Sequence, residues 1–180
     1  MFKNRELGAI EEMIVSSICD VLNEAVDRGI HEALFNCYQG RYEKWLQLEL
    51  INALHKKKPD WKIEAEKDNV KRADLAIRSD GQKLISLKVF GSSSTDEFEP
   101  HLKEAFEDLR KNKWNLLVYI VAFNNDQVAP SAMPEFKHKV QGLDESGYFN
   151  DFNIIRIEKG SGTDEKGFGF LLAELADNKV

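Results

Sequence analysis

The segment Trp114–Phe123 reads WNLLVYIVAF and is almost wholly apolar. No other stretch limits the fold so sharply. It is too short for a bilayer, which needs about 20 apolar residues. It is also too uniformly apolar for a strand with one wet face. It fits a central strand covered on both sides, so layers must lie above and below the sheet. A chain of 180 residues has the length of one domain and enough material for a proper core.

Helical patterns supply the cover. From about Glu6 to Asp27, Ile10, Met13, Ile14, Ile18, Val21, Leu22, Ala25 and Val26 recur at three- and four-residue steps, the period of an amphipathic helix. Gly29 stands where such a helix stops. A short helical piece over His31–Tyr38 follows. Arg41 to about Leu54 is a second long helix, with apolar residues on more than one stripe, so packing on two sides is expected. The cations of His55-Lys56-Lys57-Lys58 suit its C-terminus, and Pro59 ends it. Glu99–Lys111 is a third helix, with Leu102, Ala105, Phe106 and Leu109 inward and Pro100 near its first position.

Between these helices the period changes to two. Trp61, Ile63 and Ala65 alternate with charged residues over Trp61–Glu66, which marks a half-buried strand. Val70–Arg78 and Lys83–Phe90 are two more strands, joined by the hairpin signal Ser79-Asp80-Gly81-Gln82. Gly91–Ser94 reads as a flexible break. After the central strand, Asn124–Gly147 reads as loop with a short helix. Phe152–Glu158 and Phe168–Leu175 are two late strands around the turn Gly160–Gly167. The order α-α-β-β-β-α-β-β-β predicts an α/β fold, a mixed sheet flanked by helices. There is no internal repeat, low-complexity tract or interdomain linker.

Asp74 and Lys88 stand out. Asp74 lies within RADLAI, an apolar strand pattern, and shares a face with Arg72 and Ala76. Ser86 and Lys88 share one face of the next strand, while Ile85, Leu87 and Val89 take the other. A hairpin brings Asp74 near Ser86 and Lys88. Charged groups within apolar strands are costly unless paired or used. A half-buried ion pair on a wet sheet face is the plain structural explanation.

The surrounding order of elements resembles the PD-(D/E)XK nuclease superfamily. That family has a helix bearing a glutamate, a strand with Asp, a hairpin, and a strand with Glu-x-Lys or Asp-x-Lys. A helix and an apolar strand follow. The matching residues here are Glu43 in RYEKWLQLEL, Asp74 in RADLAI and Lys88 in LISLKVF. Gln47, four residues after Glu43, makes a Glu-x3-Gln pair similar to that family's helix. The resemblance covers Arg41 to Phe123. It implies a restriction-endonuclease-like domain over 1–180, with residues 1–40 an N-terminal helical extension, 41–123 the motif core and 124–180 a C-terminal loop and β pair. It implies a Mg²⁺- or Mn²⁺-dependent hydrolase acting on DNA phosphodiesters. Asp74, Glu43 and the carbonyl of Leu87 would then hold the metal, with Lys88 orienting the attacking water.

One position departs from the pattern. The family's second strand carboxylate falls on Ser86, and serine is a poor Mg²⁺ ligand. Either another carboxylate compensates (Glu43, Glu64 or Glu66), or the site is inactive and the chain is a protein-binding or assembly module, such as a homodimer. Ser86 would at most hydrogen-bond a metal-bound water.

Other residues point to no second chemistry. Glu49 is six residues from Glu43, too large a rotation for both to face one metal. His31, His55, His101 and His138 lack zinc-site spacing and read as surface or capping residues. Cys19 and Cys37 make no disulfide framework. No P-loop, nucleophile elbow or dinucleotide motif occurs. Gly167-Phe168-Gly169-Phe170 reads as close strand packing. Lys56-Lys57-Lys58 with Lys62, and Lys67 with Lys71 and Arg72, are basic clusters that could meet phosphates or simply face solvent. Gly91–Thr95 is either a connector or a segment that moves over a substrate. The 25 Lys+Arg against 31 Asp+Glu give a net charge of −6, which excludes a protein that coats nucleic acid with bulk positive charge. The start MFKNRELGAIEEM turns acidic too early for a signal peptide, so a cytoplasmic location with no membrane contact is expected.

Overall fold

The computed structural model describes residues 8–30, 43–65, 73–79, 81–92, 98–123, 149–157 and 166–174. The first helix, α1, spans Ala9–Asp27. Ile14, Ile18, Val21, Leu22 and Ala25 form its buried stripe, as the i, i+4, i+7 spacing requires. Its end is a Schellman motif. Ile30 N–H donates to the Ala25 carbonyl and Gly29 N–H to that of Val26, both at 2.9 Å, with Gly29 at φ 69°. Glycine takes this left-handed turn without a Cβ clash.

Helix α2 spans Glu43–Lys57, three residues past the expected end, so that His55, Lys56 and Lys57 complement its C-terminal dipole. Leu46, Gln47, Leu50 and Leu54 are buried, whereas Leu48 is 60% exposed. The helix packs on α1 and on the sheet at β1 and β3, as expected, while Leu48 lies outside both contacts. Lys57 at its end bonds Asp20 (2.6 Å) and Ser16 (2.7 Å) of α1.

Among the described residues six strands form one mixed sheet: β1 (Lys62–Ala65), β2 (Leu75–Arg78), β3 (Gln82–Ser92), β4 (Leu116–Phe123), β5 (Phe149–Ile157) and β6 (Lys166–Glu174). Their spatial order is β1-β2-β3-β4-β6-β5. The β2–β3 hairpin is antiparallel, with Arg78 opposite Gln82. β3 and β4 are parallel, from Ile85↔Leu116 to Ser92↔Phe123. Gly91 and Ser92 continue β3 because β4 pairs with them to its end, so they are no break. The crossover between β3 and β4 contains helix α3, Phe98–Asn112. The two late strands pair antiparallel, and β6 extends the same sheet from β4. Asn115 holds the start of β4 to β3: its Oδ1 accepts from Leu84 N–H at 2.7 Å, and its own N–H donates to the Leu84 carbonyl.

The helices lie on opposite faces. The stripes of α1 and α2 join Leu75, Ile77, Ile85, Leu87, Val89, Leu116, Val118, Ile120 and Leu172 in one core. α1 is therefore part of the main core and not an appendage. Each fully buried Leu or Ile there contributes roughly 1.5–3 kcal/mol over leaving it exposed. The opposite sheet face carries Ser86, Lys88, Leu117 and Tyr119, and α3 packs on this side of β3 and β4 with Leu102, Ala105, Phe106 and Leu109 buried. α3 also ends in a Schellman motif, with Lys113 at φ 53° in the glycine position. No helix among the described residues is long and apolar enough to cross a membrane. The helix expected over His31–Tyr38, the loop Asn124–Gly147 and Gly160–Glu165 of the expected turn lie outside the described residues, while Lys166 and Gly167, expected in that turn, already belong to β6.

Candidate active site

β2 is shorter than its pattern promises. It starts at Leu75, so Asp74 precedes the strand instead of lying within it. In a ladder, alternate residues turn their main chain to one neighbour. Ile85 faces Leu75; Leu87 and Val89 then offer their N–H groups to the same side, where β2 has stopped. Carboxylates take both places. Asp74 Oδ2 accepts the Leu87 N–H at 2.6 Å and the Ser86 hydroxyl at 3.4 Å. Glu43, in the first turn of α2, accepts the Val89 N–H.

Gln47, one helical turn after Glu43, explains why the two elements meet here. Its buried carboxamide donates to the main-chain carbonyl of Asp74. Lys44 Nζ lies 3.5 Å from Gln47 Oε1. The four residues Glu43, Asp74, Ser86 and Lys88 are thus brought together, with Leu87 supplying main chain at their centre.

The electrostatics are those of two carboxylates short of water. Burial pushes the Asp74 carboxyl above its ordinary range; the Leu87 N–H, Lys88, Lys44 and the Ser86 hydroxyl oppose this in smaller measure. Burial also pushes Glu43 up, and the Asp74 charge adds to it, against Lys88, the Val89 N–H and Lys44. Like charges brought together in a partly dry place produce this pattern.

Of the carboxylates that could replace the missing one, Glu43 is at the site. Glu64 is engaged by Lys62 (3.4 Å) and Arg78 (3.7 Å), and Glu66 lies outside the described residues. Glu49 is not among the charges acting on Glu43 or Asp74. Ser86 is fully buried, its hydroxyl turned to Asp74. Among the described residues no group of three or more His, Cys, Asp or Glu is placed to hold a metal. The available donor set is two carboxylates and main-chain oxygen. Mg²⁺ is commonly bound in this way, through one or two carboxylates, its remaining sites filled by waters and phosphate oxygens.

Two groups at the site had no signal in the spacing. Lys44 acts on both carboxylates. His101, expected as a surface or capping residue, is half-buried with Nδ1 2.7 Å from the Tyr119 hydroxyl. His55 is exposed in the last turn of α2. Lys57 is committed to α1, while Lys67, Lys71, Arg72, His31, His138 and Cys37 lie outside the described residues. Burial, and then the Asp20 charge, raise the Cys19 thiol pKa, which lowers its share of reactive thiolate.

Comparison of the chain with protein-family models, with curated proteins and with solved structures gives no match.

Proposed function

We propose that this chain is a metal-dependent nuclease that hydrolyses DNA phosphodiester bonds on a restriction-endonuclease-like sheet. The observation that carries the reading is the convergence of Glu43, Asp74 and Lys88 on the part of β3 that β2 leaves unpaired. Asp74 and Glu43 would hold a divalent cation. In a ladder a residue's N–H and C=O point to the same side, so the Leu87 carbonyl is available on that edge as well. The chemistry such a cation supplies when bound is neutralisation of phosphate charge and acidification of a water. Lys88 orients the attacking water and attracts the phosphate. Lys44 adds a second cation at the rim. The net charge of −6 is compatible with a substrate gripped in one groove.

Cleavage of single- and double-stranded DNA and of RNA, with Mg²⁺ and with Mn²⁺, tests this. Activity that needs the metal and disappears in both Asp74→Asn and Lys88→Ala supports it. A clean preparation that cuts none of these substrates with either metal refutes it. One observation favours a second reading, an inactive nuclease-like module that binds a protein or a second copy: Ser86 fills the second carboxylate position and is fully buried. That reading predicts no change in melting temperature when Mn²⁺ is added.

A further inference from the structure

Tyr119 is fully buried in the middle of β4. A phenol hydroxyl without water needs a partner inside the protein, and Nδ1 of His101 lies 2.7 Å from it. His101 enters from the first turns of α3. Its ring packs on Phe90, centroids 4.9 Å apart, and meets the Tyr119 ring edge-on at 5.7 Å.

Two of these rings stand beside Lys88 in the sheet. Phe90 follows it by two residues on the same face of β3. Tyr119 is its register partner on β4, one strand spacing away, about 4.8 Å. Lys88 acts electrostatically on His101 as well as on Glu43 and Asp74. The carboxylates and the imidazole are thus all within electrostatic reach of the Lys88 ammonium. Burial holds the imidazole pKa below its ordinary value, Lys88 lowers it further, and Glu104 acts in the opposite sense. A neutral imidazole has one donor and one acceptor nitrogen, and the partner of one nitrogen fixes the role of the other. A phenol that donates to Nδ1 leaves the hydrogen on Nε2.

We propose that His101, held by Tyr119 as the Nε2–H tautomer, is a second hydrogen-bond donor to the substrate phosphate beside Lys88. This rests on the nuclease reading of the site. Lys88 contributes a mobile point charge. His101 contributes a directed, uncharged donor that adds no repulsion next to the ammonium. Donors fixed where charge develops on a phosphate oxygen favour the transition state over the ground state.

The test uses the uniformly ¹⁵N-labelled full chain, titrated with a short deoxyoligonucleotide in EDTA, together with steady-state cleavage in Mg²⁺. The expected spectrum of the free protein shows His101 as neutral Nε2–H, and the oligonucleotide moves its ring signals. His101→Ala lowers kcat by about 10²-fold with little change in KM. His101→Gln, whose amide can donate from nearly the same place, keeps kcat within about tenfold of the wild type. Tyr119→Phe leaves the imidazole in a mixture of tautomers and lies between the two in rate; matched melting curves show that these variants are folded. A ring carrying its hydrogen on Nδ1 overturns the proposal. Ring signals that stay still while the Lys88 and Leu87 amides move also overturn it, as does unchanged kcat in His101→Ala. Each of those outcomes leaves the nuclease reading standing if cleavage persists. A wild-type protein that neither cleaves nor responds to the oligonucleotide removes both.

Discussion

Gln47→Met deletes a buried donor that ties α2 to the start of β2 while keeping the side chain's length. The Asp74 carbonyl it serves is buried, and a buried acceptor left without a partner costs about 1–3 kcal/mol. Gln47→Ala costs more, because a buried methylene worth about 0.8 kcal/mol goes as well, for a total of about 2–4 kcal/mol. A domain of this size loses about 2–4 °C of melting temperature per kcal/mol. Met should therefore melt about 2–12 °C lower and Ala about 4–16 °C lower. Gln47→Glu adds a pH signature. Its carboxyl can serve the carbonyl only when protonated, so its folded-state pKa is raised. Its contribution is present below the unfolded value of about 4.3 and is lost as pH rises through the folded value. Thermal unfolding by circular dichroism at several pH values reads all three variants. Met and Ala melting together with the wild type, or a Glu variant whose deficit does not shrink in acid, would refute the role given to Gln47. Cleavage should fall with stability in this series, whereas Lys88→Ala should lose cleavage and keep its melting temperature.

Three further outcomes follow from the same geometry. Glu43→Gln should melt above the wild type at neutral pH, because burial and Asp74 disfavour the anion; the gain should close in acid as the wild-type carboxyl protonates, since a raised folded pKa favours the folded state only at low pH. Ser86→Asp places a charge in a fully buried site beside Asp74 and should cost about 3 kcal/mol or more without metal; part of that loss should return on adding Mn²⁺, measured as a melting shift. The two helix ends offer opposite tests by thermal melting: Gly29→Ala should destabilise by about 1 kcal/mol and Lys113→Gly should stabilise, because each residue holds the left-handed position of a Schellman motif.

The helices and the central strand were legible because their patterns are local. Ile14 through Ala25 and Leu102 through Leu109 repeat at helical spacing whatever packs on them, and β4 is too apolar to lie anywhere but inside. The ends of β2 and β3 were not legible. Ala73 and Asp74 continue the alternation of the strand, but the Asp74 side chain takes the Leu87 N–H that a longer β2 would have paired with, and side chains of this kind compete with the ladder. Gly91 and Ser92 read as a break, yet β4 pairs with them. Leu48 shows that not every apolar residue of a helix packed on two neighbours is itself buried. Glu43, Asp74, Ser86 and Lys88 were found through the order of elements. His101 was not, since its contact with Tyr119 spans 18 residues. The available clue was Tyr119 itself, a hydroxyl in an otherwise apolar strand.

The early stop of β2 has a consequence for how such a site can change over time. An unfinished strand edge invites another chain to pair with it. Here the two acids occupy the amide positions that an incoming strand would use, so they act as stoppers of the sheet in addition to the metal-holding role proposed for them. A lineage that no longer needed the chemistry could not discard both acids freely, because exposing the Leu87 and Val89 amides would open a sticky edge. On this geometry Glu43 and Asp74 cover the edge of β3 independently of any catalytic use.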